Sequence, residues 1–208
     1  LLDNAALAVD TDQPELMLRG PGEVLESGFA TVLAAGPGLG RSAGALVLLK
    51  QAIATDLPLV LDADALNLLA AHPVLAGHLH KRTAPTLITP HPLEAARLLG
   101  IDMAEVRADR IAAALALAKR LNALTVLKGC GSVIASPAGR WYINTSGNPG
   151  MASAGMGDVL AGIAAAALVP TLVVLIAANY NGDQKSQALG ILAATPALSG
   201  ALAFFVAG

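Results

Sequence analysis

The sequence has little of several features that mark common classes of protein. It contains one cysteine, Cys130, so an internal disulfide is excluded and a reducing compartment, the cytoplasm, is expected. We expect Cys130 to be a small packed residue rather than a nucleophile. Charged residues make up 13% of the chain, with a net charge of −2, and they form no basic stripe that would indicate a nucleic-acid partner. These absences argue against a disulfide-stapled secreted domain and against a nucleic-acid-binding module.

The abundant residues are small and aliphatic. Of the 208 residues, 55% are hydrophobic and only 3% are aromatic, as expected for helices packed on a buried parallel sheet. Short apolar runs and helical patterns alternate three times, and a hairpin follows, which predicts an α/β fold with a mostly parallel sheet. Strands are predicted at residues 14–18, 29–35, 57–61, 85–89, 125–127, 133–135 and 140–143, a turn at 20–22, and helices at 42–54, 93–99 and 104–122.

The stretch Asn144–Gly162 is polar and rich in glycine before it becomes apolar, which is typical of a loop that leads into a helix. A helix that begins near Gly155 leaves the N–H groups of Gly155, Met156 and Gly157 without intrahelical partners, and the helix dipole there favours an anion such as phosphate. Asp158 follows in the first turn, where a carboxylate can take the proton of a hydroxyl that attacks a phosphoryl group. The alternative is an ordinary helix start at which Asp158 only satisfies the dipole.

Four further clusters follow predicted strands, and the carboxyl ends of parallel strands meet at one edge of a sheet. The clusters are Gly36–Gly40, Asp62–Asn67, the segment around His91, and Lys128–Ser132. Asp62 and Asp64 are two carboxylates at a strand end, which indicates a metal or nucleotide role, and Glu94 can support the first turn of the helix after His91. Lys128 and the glycines after it can place an ammonium group and bare amides around phosphate oxygens. Structural alternatives stay open for each cluster: tight turns at the glycines, a helix cap at Asp62 or Asp64, and side chains of His91 and Lys128 that are merely solvated.

Residues 159–178 carry no charge and are numerous enough to span a bilayer. Gly162, Pro170 and several alanines interrupt this segment, and Asp158 lies next to it. We therefore predict a buried helix, a break at Pro170 and a second apolar segment. A membrane partner is not expected, although the sequence leaves membrane association open.

Five motifs, in the same order, resemble those of the NAD(P)H-hydrate dehydratase family of carbohydrate-kinase-like repair enzymes. The resemblance covers about residues 14–168, and its motifs are A-G-P-G-L-G at 35–40, L-D-A-D-A-L-N at 61–67, T-P-H-P-L-E at 89–94, K-G-C-G-S at 128–132 and N-T-S-G-N-P-G-M-A-S-A-G-M-G-D-V-L-A-G at 144–162. It implies a ribokinase-like, three-layer α/β/α fold. It also implies conversion of (6S)-hydrated NADH or NADPH back to the cofactor, with ADP or ATP as phosphoryl donor and Mg²⁺ assisting.

The resemblance further implies roles for individual residues. Asp158 would be the catalytic base that deprotonates the ring hydroxyl of the substrate. The hydrated cofactor would contact Gly38, Gly40, His91 and Asp158. The adenine nucleotide would contact Lys128, Gly129, Cys130, Gly131, Ser132, Gly155, Met156 and Gly157. No residue is predicted to be a metal ligand.

Two departures from the family pattern are expected. Family domains begin with a further glycine-containing βαβ segment that this chain does not match, so we expect an incomplete sheet with unpaired apolar edges. Residues 169–208 form a low-charge tail unlike the family's charged helices, so the predicted partial domain covers residues 1–168. Two other functions stay open, a small-molecule alcohol kinase of the same fold and an inactive nucleotide-binding remnant. A homo-oligomer is a further hypothesis, because self-association would cover exposed sheet edges.

Overall fold

Helices and strands alternate through most of the chain. The structure is a computed structural model that describes residues 18–26, 28, 30–146, 152–179 and 202–204. The strands are β1 (Val32–Ala35), β2 (Leu59–Leu61), β3 (Thr86–Ile88), β4 (Leu124–Leu127), β5 (Val133–Ala135), β6 (Trp141–Ile143) and β7 (Leu202–Phe204). The helices are α1 (Pro21–Glu26), α2 (Ala43–Ala54), α3 (Ala63–Ala71), α4 (Pro73–His80), α5 (Pro92–Leu99), α6 (Met103–Ala108), α7 (Arg110–Leu121) and α8 (Met156–Asn179).

The strands form one sheet in the order β6-β5-β4-β3-β2-β1-β7. Strands β7 and β1 to β4 run parallel, whereas β5 and β6 form the predicted antiparallel hairpin on β4. This arrangement confirms the predicted α/β fold with a mostly parallel sheet. The outer edge of β1 is paired with β7, with Leu33 opposite Ala203, although the sequence predicted unpaired edges.

The two faces of the sheet are covered by different helices, because successive strand residues point to opposite faces. Leu33 and Leu59 belong to the main buried cluster, which includes residues of α2 to α7. Val32, Ala34 and Val60 point the other way and pack with two alanines of α8, Ala161 and Ala165. The molecule therefore has the predicted helix, sheet and helix layers.

Helix boundaries follow local capping chemistry. Ser42 caps α2 as predicted, since its side chain accepts a hydrogen bond from the N–H of Ala45 at 3.1 Å. Asp62 caps α3 by accepting from the N–H of Ala63 at 2.8 Å, which is one of the alternatives left open by the sequence. Gly100 ends α5 at a φ of 73°, a left-handed conformation that glycine adopts without strain.

The single helix predicted over residues 104–122 is wrong, because the segment forms two helices. Asp109 lies between α6 and α7 with a φ of −140°, and its Oδ1 accepts from the N–H of Ala112 at 2.8 Å. Aspartate competes well for this capping position, so the chain starts a new helix at Arg110 instead of continuing the old one.

Two other predictions of local structure are also wrong. A turn was predicted at residues 20–22, but Pro21 and Gly22 already belong to α1, because proline at the first helical position has a favourable φ. Helix α8 continues through position 170, where a break was predicted. A proline removes one helix hydrogen bond, and the alanine- and leucine-rich sequence on both sides maintains the helical backbone.

Some predictions fall on residues that the structure does not describe, namely most of the strand at 14–18 and residues 147–151 of the glycine-rich stretch. Within the described part of the chain, no helix has the combination of length and hydropathy needed for a membrane crossing.

Candidate functional site

The loops that follow β1, β2, β3 and β4 meet at one edge of the sheet, as the sequence predicted. The N–H of Asp62 donates to the carbonyl of Ala35 at 3.1 Å, and the N–H of Thr89 donates to Leu61 at 3.2 Å. The N–H of Lys128 donates to the carbonyl of Pro90 at 2.8 Å. These bonds join each loop to its neighbour, so the glycine and charged clusters form one continuous surface.

The loop Gly36–Gly40 is held against the start of α3. A Cβ at Gly36 would lie 1.7 Å from the carbonyl oxygen of Asp62, so only glycine fits there. Gly38 and Gly40 have φ values of 63° and 72°, which also favour glycine. The N–H of Gly40 donates to Oδ2 of Asp64 at 2.9 Å, so this carboxylate fixes the loop. The two glycines predicted to contact substrate thus lie on a backbone with a defined shape.

The centre of this edge is an ion pair between Lys128 and Asp62. Nζ of Lys128 lies 2.7 Å from Oδ1 of Asp62, whose side chain is only 2% exposed. The Lys128 side chain is 20% exposed, so its ammonium is partly desolvated rather than freely solvated. The buried carboxylate of Asp62 attracts this ammonium and offsets part of the cost of its desolvation.

The N-terminus of α8 lies directly beside this ion pair. A Cβ at Gly157 would be 3.4 Å from Nζ of Lys128 and 3.7 Å from Oδ2 of Asp62. Gly155 has a φ of 80° and precedes the helix, as predicted. The N–H groups of Gly155, Gly157 and Asp158 donate to none of the described residues, whereas that of Met156 donates to Ser153 at 3.3 Å. Backbone donors, a helix dipole and an ammonium therefore converge here, which suits a phosphate group.

Asp158 occupies the first turn of α8 and is exposed to solvent. Asp158 follows Gly157 directly in the sequence, at the helix start that offers the predicted phosphate position. A carboxylate placed in this way can accept a proton from a hydroxyl that approaches the phosphorus.

The loop Lys128–Ser132 is shaped by one arginine that sequence reasoning had not selected. The guanidinium of Arg110 donates from Nη2 to the carbonyls of Leu127 at 3.1 Å and Lys128 at 3.4 Å. It also donates from Nη1 to the carbonyl of Cys130. Because α7 runs antiparallel to the strands, its first residue lies at their carboxyl edge, and this topology was the only available signal for Arg110.

The same loop turns sharply at its glycines. Gly129 and Gly131 have φ values of 145° and 64°, and the N–H of Gly129 donates to Oγ of Ser132 at 3.3 Å. Cys130, expected to be packed, is instead exposed, because the two glycines turn it outward at the tip of the loop. Gly129 and Cys130 are therefore exposed at the edge that carries Lys128.

His91 caps helix α5 instead of projecting freely. Its Nδ1 accepts from the N–H groups of Leu93 at 3.2 Å and Glu94 at 3.3 Å, while the side chain of Glu94 accepts from the N–H of His91 at 2.8 Å. Nε2 of His91 lies 3.3 Å from Oε1 of Glu94. Burial raises the pKa of Glu94, and the charge of Asp62 adds to this rise, while hydrogen bonding by His91 and the charges of His91 and Lys128 oppose it.

The structure thus brings together most of the predicted residues but not all of them. Lys128 and Gly157 are adjacent, and the Gly40 loop reaches the same edge through Asp64. No hydrogen bond or ion pair among the described residues joins His91 to Asp158. The sequence indicated Asp62 as a metal, nucleotide or cap candidate. Its contact with Lys128 could not be read from the spacing of the two residues along the chain.

Two other observations concern where a ligand or metal can bind. Within the described residues there is no group of three His, Cys, Asp or Glu side chains that could hold a metal ion. A cavity of about 290 Å³ lies at the opposite edge of the sheet, and none of the predicted site residues contributes to it. Its lining comprises Lys50, Ile53, Ala54, Thr55, Asp56, His78, Lys81, Arg82, Thr83 and Ala84.

The fold is that of a ribokinase-like protein, and this edge carries a candidate anion site at a helix N-terminus. The ribokinase-like superfamily protein of Enterococcus faecalis V583 has a similar structure, with a TM-score of 0.55 and 27% identity over 84% of this chain and 65% of that one. The ADP/ATP-dependent NAD(P)H-hydrate dehydratase of Bacillus subtilis, co-crystallized with ATP/Mg²⁺, has the same fold, with a TM-score of 0.55 and 24% identity over 85% of this chain and 68% of that one.

A family model for NAD(P)H-hydrate dehydratase matches residues 4–195, so the chain belongs to the NAD(P)H-hydrate dehydratase family. This range extends past the domain boundary predicted at residue 168, and that boundary stays a prediction. The chain is 48% identical over 134 residues to the bifunctional NAD(P)H-hydrate repair enzyme Nnr of Coxiella burnetii, which covers 64% of this chain and 26% of that protein. It is 40% identical over 178 residues to the ADP-dependent (S)-NAD(P)H-hydrate dehydratase of Neisseria meningitidis, which covers 85% of this chain and 60% of that protein. The chain therefore spans about a quarter of the first relative and three fifths of the second.

Proposed function

We propose that this chain carries the site of a dehydratase that restores NADH or NADPH from the (6S)-hydrated forms, with cleavage of ADP to AMP, or of ATP to ADP, and phosphate. The observation that carries the proposal is the position of the Lys128 ammonium beside Gly157, directly before Asp158. A lysine, backbone N–H donors that bond to none of the described residues, and a carboxylate at one helix start suit phosphoryl transfer to a hydroxyl. The names of the two relatives support this reaction.

In the proposed reaction, one residue transfers a proton and the others bind the phosphoryl group. Asp158 takes the proton of the ring hydroxyl while the hydroxyl oxygen bonds to the terminal phosphorus of the nucleotide. The bond from that phosphorus to the bridging oxygen of the nucleotide breaks in the same step. The amides of Gly155 and Gly157 and the Lys128 ammonium stabilise the charge on the phosphoryl oxygens. Phosphate then leaves the ring carbon with the bonding electrons, as the ring nitrogen donates its lone pair. Loss of a proton from the neighbouring carbon restores the double bond.

The remaining predicted residues have binding roles in this proposal. The loop Lys128–Ser132, with Gly155, Met156 and Gly157, would bind the nucleotide. Gly38, Gly40 and His91 would contact the hydrated cofactor. Mg²⁺ in nucleotide sites is usually held by phosphates and one or two carboxylates, and the exposed Asp158 fits such a ligand set. When bound, Mg²⁺ neutralises part of the phosphate charge.

The direct test uses chemically hydrated NADH with ADP or ATP and Mg²⁺. We expect nucleotide-dependent recovery of the absorbance of reduced nicotinamide, with release of free phosphate. Asp158→Asn should lower the rate at least about 100-fold, because a positioned general base contributes about 10² to 10⁴. Asp102→Asn is the matched control, since it makes the same change at the start of α6, away from the site, and should retain the activity.

The result also separates the proposal from the alternatives. A stable phosphate ester in place of free phosphate would identify an alcohol kinase. Binding of ADP by a folded chain that recovers no NADH would identify an inactive nucleotide-binding protein. Either outcome would contradict the proposed dehydration.

A further inference from the structure

We propose that Asp62 is a positioning residue, whose carboxylate holds the Lys128 ammonium beside the first turn of α8 so that the ammonium meets the phosphate groups of the nucleotide. This inference rests on the proposed function, because it assigns the nucleotide to the same edge of the sheet. It concerns a residue that had been considered only as a helix cap or as part of a metal or nucleotide site.

Asp62 is fixed by several contacts at once. Its N–H donates to the carbonyl of Ala35, and its own carbonyl oxygen lies against Gly36, where no side chain fits. Its Oδ1 accepts from the N–H of Ala63 at 2.8 Å and from Nζ of Lys128 at 2.7 Å. A side chain that is 2% exposed and held in this way has essentially one conformation available to it.

Lys128 has the opposite character. Its ammonium is carried on a flexible stem of four carbons, and fixing such a side chain costs about 2 kcal/mol of rotamer entropy. Its ammonium has three donors, of which Asp62 takes one. The bond to Asp62 therefore restrains a flexible group whose Nζ lies 3.4 Å from the Cβ position of Gly157, and it leaves the other two donors for a ligand.

Because Asp62 is negatively charged, its positioning of Lys128 can be told apart from its direct electrostatic effect on a bound phosphate. A carboxylate 3.7 Å from the Cβ position of Gly157 repels a phosphate bound at the same helix start. By charge alone, its removal would tighten nucleotide binding. If Asp62 orients Lys128, its removal weakens binding, because the ammonium is then free to move into solvent. The two roles predict changes of opposite sign.

The experiment measures the dissociation constant of ADP by titration calorimetry for the unaltered chain and for Asp62→Asn. Asparagine caps a helix as well as aspartate does, so α3 is retained. Its neutral amide oxygen is a weaker acceptor for the Lys128 ammonium than the carboxylate, because charge-assisted hydrogen bonds are about twice as strong as neutral ones. We expect ADP to bind about tenfold more weakly, as when one hydrogen bond to a charged group is lost. Thermal unfolding of both proteins, measured in parallel, shows whether the variant is folded, and Asp62→Ser, which keeps a capping oxygen, replaces it if it is not.

Two further variants complete the test. Asp158→Asn removes a carboxylate from the same helix start without touching Lys128. Titrated like the other proteins without Mg²⁺, it should bind ADP at least as tightly as the unaltered chain. In the Asp62→Asn background, Lys128→Met should change the affinity no more than about twofold, because a displaced ammonium contributes little. A purely structural role of Asp62 would not produce weaker ADP binding in Asp62→Asn together with tight binding in Asp158→Asn and an affinity that no longer depends on Lys128.

The outcomes separate the inference from the function on which it rests. Unchanged or tighter ADP binding by folded Asp62→Asn would overturn the positioning role, and so would a tenfold loss on adding Lys128→Met to it. ADP binding by the unaltered chain without recovery of NADH would overturn the proposed function alone, and the affinities would still decide the role of Asp62. No ADP binding by the unaltered, folded chain would overturn both.

Discussion

At the scale of single residues, Gly36 has the least tolerance for change. A Cβ there would lie 1.7 Å from the carbonyl oxygen of Asp62, and the φ of 140° is one that other residues rarely adopt. We expect Gly36→Ala to lower the free energy of unfolding by about 4 kcal/mol or more, since neither the backbone nor Asp62 can move away without disturbing the site. Denaturant unfolding measures the change.

The control for Gly36 is Gly22→Ala in α1. Among the described residues, no atom outside the helix itself lies within 4 Å of the Cβ position of Gly22, and alanine favours a helix over glycine by about 1 kcal/mol. This variant should therefore be as stable as the unaltered chain or slightly more stable. A Gly36→Ala protein with the stability of Gly22→Ala would contradict the close approach of the two loops.

A second prediction concerns two buried threonines. Oγ1 of Thr89 has no hydrogen-bond partner among the described residues, whereas Oγ1 of Thr86 accepts from Nε of the buried Arg82 at 3.2 Å. Thr89→Val should leave the free energy of unfolding unchanged or raise it by up to about 1 kcal/mol, because an unsatisfied hydroxyl is lost. Thr86→Val should lower it by about 1 to 3 kcal/mol, because a guanidinium donor loses its acceptor. Urea unfolding of the pair tests this, and equal losses would refute it.

At the scale of elements, the start of α5 makes stability depend on pH. Burial is the main cause that raises the pKa of Glu94 above its ordinary value. The folded chain thus binds this proton more tightly than the unfolded chain does. Between the ordinary pKa and the raised one the folded state carries more protons, so the free energy of unfolding contributed by Glu94 falls as pH rises through that window.

Glu94→Gln should remove this part of the pH dependence. Glutamine keeps an oxygen that can accept from the N–H of His91, so the cap of α5 is retained. We expect the variant to gain stability relative to the unaltered chain as pH rises from acidic values towards neutrality. Denaturant unfolding at several pH values measures the difference, and one that stays constant with pH would contradict the assigned cause.

The elements also show what can be predicted from a sequence and what cannot. Strands β1 to β6, the cap at Ser42 and the end of α5 at Gly100 follow from local signals, namely apolar runs, capping side chains and glycine. The break at Asp109 was missed because the apolar spacing continues on both sides of it, and only the competition for a capping position decides it. The run of α8 through position 170 was missed because one proline was given more weight than its helix-forming neighbours.

At the scale of the whole molecule, the edge of the sheet that carries the site was predictable but its internal contacts were not. Parallel strands followed by glycine or charged clusters must place those clusters at one edge, whatever the details of the helices. The pair of Asp62 and Lys128 joins residues 66 positions apart, from strands separated by β3. Which side chains meet along a shared edge depends on packing and register, and no local pattern encodes them.

The last prediction concerns the free edge of the sheet. Strand β6 is the terminal strand beside β5, and Trp141, Tyr142 and Ile143 are all exposed on it. An apolar edge strand with unpaired backbone groups favours pairing with another chain. We expect the protein to self-associate through β6, with an apparent mass in sedimentation that rises with concentration.

Tyr142→Lys tests this expectation, because a charge on an edge strand opposes pairing between sheets. The side chain is 63% exposed, so its replacement should leave the fold intact while shifting the population towards the monomer. Val74→Lys is the matched control, since Val74 is 75% exposed on α4, on a different element of the molecule. If both variants associate to the same extent as the unaltered chain, the β6 edge is not the contact. If the unaltered chain is monomeric at every concentration, the exposed apolar edge is tolerated without a partner.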